Sequence, residues 1–125
     1  RSDLGFTPED RAENVRRVAE VSKLMLQAGL VVFVALVSPY EADREAARSL
    51  FAPGEFIEVY VDTPFDVCAE RDPKGLYAKA AAGTLPNMTG VGQGYEVPAR
   101  PDLVLRGVGD LDASVAQLIR AVLGE

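Results

Sequence analysis

Apolar and polar positions along this chain follow two different rhythms. Val15, Val18, Val21, Leu24, Met25 and Ala28 recur at the spacing that gives a helix one buried face. Thr7-Pro8-Glu9-Asp10 precedes them and reads as a helix start. Thr7 can cap, Pro8 fits the first helical position, and the two acids suit the positive end of the helix dipole. The pattern predicts a helix to about Ala28, stopped by Gly29. The next stretch, LVVFVALVS from Leu30 to Ser38, is apolar at nearly every position and rich in β-branched residues. That predicts a strand covered on both faces, as parallel sheets require, ended by Pro39.

EADREAARSL, Glu41 to Leu50, predicts a second helix, and FIEVYVD, Phe56 to Asp62, a second strand. Thr63-Pro64 repeats the cap-and-proline start for a short helix to about Glu70, and Gly75 to Ala82 reads as another. Gly83 to Pro101 holds four Gly and three Pro, so it reads as an ordered loop or lid. Asp102 to Arg106 predicts a third strand, and Asp110 caps a last amphipathic helix to about Leu123. The alternation gives an α/β fold with a parallel sheet. Ligands of such sheets bind beyond the carboxyl ends of the strands. Ser38-Pro39-Tyr40, Asp62-Thr63-Pro64 and the residues after Arg106 fall there.

Composition narrows the chemistry. The 125 residues amount to one domain, and 48% hydrophobic content is enough for a core. No segment approaches the length of a membrane span, and no signal-like apolar stretch lies near Arg1, so a cytoplasmic protein is expected. Cys68 stands alone, which excludes an intrachain disulfide, and the absence of His removes the commonest metal ligand. A dedicated protein metal site is not expected, whereas magnesium carried in by a nucleotide is compatible. The net charge of −6 argues against general nucleic-acid binding. The ten Arg against three Lys favour planar recognition of phosphate or sulfate. Most of the grouped arginines, Arg44 and Arg48 among them, are expected as solvated surface charge. RDPKGLY, Arg71 to Tyr77, is a compact basic turn in an acidic chain: a solvated loop, or a segment that closes over an anion.

Five stretches in register, LGFTPEDRAENVRR, ALVSPYEADR, FIEVYVDTP, RDPKGLYAKA and YEVPARPDLVL, resemble adenylylsulfate kinases over essentially the whole chain. The resemblance implies a three-layer P-loop kinase-like fold, here missing its N-terminal strands, with a lid over about residues 71–101. It implies transfer of the γ-phosphate of MgATP to the ribose 3′-hydroxyl of adenylyl sulfate, giving 3′-phosphoadenylyl sulfate for sulfate assimilation. Its members are commonly dimeric and in some cases fused or coupled to ATP sulfurylase.

The resemblance also assigns residues. Arg11 and Asn14, three apart on a helix, face adenylyl sulfate, Arg11 on its anionic group and Asn14 as a hydrogen-bond partner. Phe6 becomes a wall of the adenine pocket; on local grounds it is equally a hydrophobic staple onto the first helical turn. Ser38 is the candidate catalytic residue, since bacterial members use the matching serine as a phosphoserine. With no His to serve as base, holding substrate through the Val37–Ser38 backbone and the Ser38 hydroxyl is the preferred role. In the RDPKGLY lid Lys74 reaches the anionic part of adenylyl sulfate, Gly75 and Leu76 let the backbone close, and Arg71 lies near ATP. Asn87 and Met88 complete the acceptor side, Met88 standing where the family carries a second aromatic adenine wall, which implies weaker or less specific adenine binding.

A further departure is an absence: no G-x-x-x-x-G-K-[ST] occurs in residues 1–125. In the family that loop's strand lies between the two that match Leu30–Ser38 and Phe56–Asp62, so their inner edges are expected to be unpaired. Residues 1–125 alone are expected not to transfer phosphate. A non-catalytic nucleotide-binding remnant and another small-molecule kinase of the same fold stay open as alternatives.

Overall fold

The computed structural model describes residues 3–63, 65–71, 94–107 and 109–124. Helix α1, Pro8–Gln27, starts as its residues dictate: Thr7 Oγ1 accepts a hydrogen bond from the Asp10 amide at 3.1 Å. Asp10 reaches back in turn and accepts the Gly5 amide at 3.0 Å, which fixes the approach to the helix. At the far end Gly29 takes φ 91°. The Gly29 and Leu30 amides then fold back onto the Leu26 and Met25 carbonyls. This is a Schellman ending, and glycine meets its left-handed position without strain.

The buried stripe of α1 is Arg11, Asn14, Val15 and Ala19. The expected stripe through Ala28 fails in the second half of the helix, where Val21, Leu24 and Met25 are 51%, 67% and 43% exposed. In that half Ser22 and Leu26, at helical spacing from Val15 and Ala19, are the residues turned inward. Helix α2, Glu41–Arg48, packs against α1. Val15, Ala19 and Ala47 form the core between the two helices, with Leu36, Leu50 and Phe56 packed on it.

Strands β1, Val59–Asp62, and β2, Leu103–Arg106, form a parallel pair with Val59 opposite Leu103 and Asp62 opposite Arg106. Helix α3, Phe65–Arg71, follows β1. Helix α4, Leu111–Leu123, follows β2 and packs back on it. Asp110 caps α4 by accepting the Asp112 amide at 2.9 Å, as its sequence predicts. Among the described residues no helix is long and apolar enough to cross a membrane.

A second expectation is overturned. Residues 30–38 form no strand, and no ladder partner flanks them among the described residues. Leu30, Val31, Phe33, Val34 and Val37 are all more than half exposed, so the segment is not covered on both faces. β-branched, apolar residues suit a pleated surface, but a strand exists only where a neighbour takes up its amides and carbonyls. Between this segment and β1 lies a cleft instead.

Candidate functional site

The site is built from three bends of the chain. The first is the entry to α1. Phe6 precedes the Thr7 cap, and Arg11 lies one turn on, so the two are placed as the residues of a hydrophobic staple. The contact is cationic: the Arg11 guanidinium sits 5.2 Å from the Phe6 ring centroid, and its Nε donates to the Phe6 carbonyl at 3.1 Å. Arg11 is thereby buried, at 7% exposure, and held in orientation.

The second bend is Val37-Ser38-Pro39. Ser38 adopts φ 38°, the only positive φ at a non-glycine among the described residues. Pro39 is fully buried beneath it. Arg44 of α2 stabilises the bend from inside. It donates to the Ser38 carbonyl at 2.6 Å and to the Glu96 carbonyl, and it pairs with Glu41 at 2.7 Å and Glu58 at 3.3 Å. Its guanidinium also lies 5.4 Å from the Tyr95 ring, which stacks on Tyr60. Glu96 fastens the same bend twice, its amide donating to the Pro39 carbonyl and its carboxylate accepting the Glu41 amide, both at 2.8 Å. Burial pushes the Glu58 carboxyl above its ordinary value, against the pull of Arg44.

The third bend lies past the ends of β1 and β2. The Gly107 amide donates to the Asp62 carbonyl at 3.2 Å. A Cβ on Gly107 would fall 1.4 Å from Thr63 Oγ1, so only glycine lets the two loops approach this closely.

A cleft of about 710 Å³ runs beneath these bends, between residues 30–38 and β1. Its body is apolar, with Val32, Val34 and Leu36 on one side and Ile57, Val59 and Val61 on the other. Of the residues singled out from sequence, Phe6, Arg11, Val37 and Ser38 line it together. Asn14 is buried on the same face of α1 but does not line the cleft. Arg71 is exposed at the end of α3 and is not among the residues that line the cleft. Lys74, Gly75, Leu76, Asn87 and Met88, with the short helix expected from Gly75, lie outside the described residues.

Arg44 corrects the expectation of solvated surface charge: it is 7% exposed and lines the cleft. A signal existed in the sequence. Tyr40, Arg44, Ala47 and Phe51 share a helical spacing, which put Arg44 on the inward stripe of α2. Arg48 is half-buried too, bonded to Asp102 at 2.9 Å and lying over the Phe56 ring.

Comparisons with known proteins converge on one family. The profile described as Adenylylsulphate kinase matches residues 1–106. The chain is similar to the adenylyl-sulfate kinase of Shewanella amazonensis, 56% identical over 118 residues, covering 94% of this chain and 60% of that protein. It is similar to the bifunctional enzyme NodQ of Rhizobium meliloti, 56% identical over 121 residues, covering 97% of this chain and 19% of that protein. Among solved structures, the Mycobacterium tuberculosis APS kinase CysC in complex with AMPPNP and APS superposes with a TM-score of 0.92 at 41% identity, covering 98% of this chain and 72% of that one. The chain thus spans less than two thirds of the length of these curated relatives.

Proposed function

Because the chain belongs to the adenylylsulfate kinase family and has its P-loop kinase fold, we propose that it forms the acceptor-holding part of an adenylylsulfate kinase. The reaction passes the γ-phosphate of ATP, with its magnesium, to the 3′-hydroxyl of adenylyl sulfate and yields 3′-phosphoadenylyl sulfate. The observation that carries this reading is the convergence of Phe6, Arg11, Val37 and Ser38 on one cleft. Phe6 offers an aromatic face to adenine, and Arg11 a fixed cation to the sulfated end. The Ser38 bend offers a hydroxyl and nearby backbone groups to the ribose side. Lys74, Gly75 and Leu76 would close over the pair from the lid, with Asn87 and Met88 on the acceptor side and Arg71 toward ATP. Phosphoryl transfer asks for positioning, charge neutralisation and exclusion of water rather than covalent help from the protein. Ser38 therefore acts by holding substrate.

No phosphate-cradling G-x-x-x-x-G-K-[ST] occurs in residues 1–125. This favours a second reading for these residues by themselves: they bind adenylyl sulfate and transfer nothing. Likeness to bifunctional enzymes supports a protein joined to a second activity, and we propose ATP sulfurylase as that activity, a homodimer as the assembly and the cytoplasm as the location.

Calorimetric titration of residues 1–125 with adenylyl sulfate tests the reading. Binding is expected, and Arg11→Ala is expected to weaken it by about tenfold to a hundredfold, the loss of a charged hydrogen bond. No binding, or equal binding of adenosine lacking the anionic group, would overturn it. Release of ADP by residues 1–125 in a coupled assay would overturn the second reading alone.

A further inference from the structure

Arg44 has no part in the reaction as read above, yet it lies buried at the foot of the Ser38 bend. Taking a guanidinium out of water costs several kcal/mol unless neighbours replace the lost solvation. Glu41 and Glu58 answer the charge. The carbonyls of Ser38 and Glu96 answer the geometry, because they sit on two separate segments and both accept from one planar fork. Ser38 needs that support. Its φ of 38° lies in the left-handed region, which a serine keeps only where its surroundings over-determine it. Glu96 cannot yield easily, since its amide and its carboxylate are each bonded to the same bend. The fork therefore sets both the spacing of the two segments and the tilt of the Ser38 peptide. The Tyr95 ring packed on the guanidinium limits its rotation.

We infer that Arg44 is a positioning residue for adenylyl sulfate, holding Ser38 in its left-handed bend so that the hydroxyl and the Val37–Ser38 backbone face the cleft. This rests on the reading of the cleft given above. Arg44 acts through Ser38, so its removal misplaces substrate-binding groups while leaving the ATP side intact.

The test compares Arg44→Lys and Arg44→Gln with the parent in the protein as encoded, with Arg48→Lys as a control. Thermal midpoints, adenylyl sulfate affinity and affinity for a non-hydrolysable ATP analogue are measured for each. Both Arg44 variants are expected to fold and to bind adenylyl sulfate about tenfold to a hundredfold more weakly, the scale of a misplaced positioning group. Their affinity for the ATP analogue should stay within about twofold, and Arg48→Lys should bind both ligands as the parent does. Unchanged adenylyl sulfate affinity in a folded Arg44→Lys protein would overturn the inference. So would equal loss of both ligands, or failure of both variants to fold, since either makes Arg44 a support of the fold rather than of the bend. A parent protein that ignores adenylyl sulfate would instead sink the reading of the cleft, before any variant is made.

Discussion

Two stretches of this chain carry the same β signal and meet different fates. VYVD in β1 is shorter and more polar than LVVFVALVS, yet β1 is a strand and residues 30–38 are not. β1 has β2 alongside, with Val59 to Asp62 paired in register against Leu103 to Arg106. Residues 30–38 face a cleft where a neighbour would run. Strand formation here follows the availability of a ladder, not the strength of the local preference.

Side-chain truncation breaks the comparison most sharply. Leu105 in β2 is 8% exposed and Phe33 is 64% exposed. Leu105→Ala should cost about 2–5 kcal/mol in urea unfolding, and Phe33→Ser less than about 0.5 kcal/mol. Similar costs would mean that residues 30–38 are packed after all. Next in size is Gly107→Ala, at the seam that holds the strand ends together. The new methyl would meet Thr63 Cβ at 2.6 Å as well as its hydroxyl, so rotating the threonine gives no relief. A loss of about 1–3 kcal/mol is expected. A variant as stable as the parent would show that the β1 and β2 loops part freely.

The smallest effect concerns Glu58, just ahead of β1, whose amide donates to Asp102 at 2.7 Å. Burial raises its carboxyl above the unfolded value. The folded state thus holds that proton more tightly. Its contribution to stability is full below the ordinary carboxylate range and is lost as pH rises through the raised folded value. Glu58→Gln should remove that decline, which can be no steeper than about 1.4 kcal/mol per pH unit for one proton. Identical pH profiles of the thermal midpoint in parent and variant would refute the assignment.

The helices were legible in the sequence because their signals are local. Thr7-Pro8, Gly29 and Asp110 act on residues within a turn of themselves, and all three do what their types suggest. Arg11 and Ser38 were legible through resemblance, and the structure brings both to one cleft. What stayed hidden was tertiary. Whether residues 30–38 pair depends on a distant neighbour, and although helical spacing marks Arg44 as inward, the Glu58 and Glu96 groups that hold it there lie outside any window around it. In the second half of α1 the apolar period points to Val21, Leu24 and Met25, whereas Ser22 and Leu26 are the residues that line the cleft, a choice of face that depends on what packs alongside.

The capping of the two helices has a kinetic consequence. α1 finds its opening acceptor, Thr7, next door. Tyr40 offers α2 no side-chain acceptor, and the opening amide of that helix is met by Glu96, 55 positions away. An eight-residue helix is too short to persist alone. During refolding α1 can therefore nucleate while the chain is still open, whereas α2 must wait until a long loop has closed and its entropy has been lost.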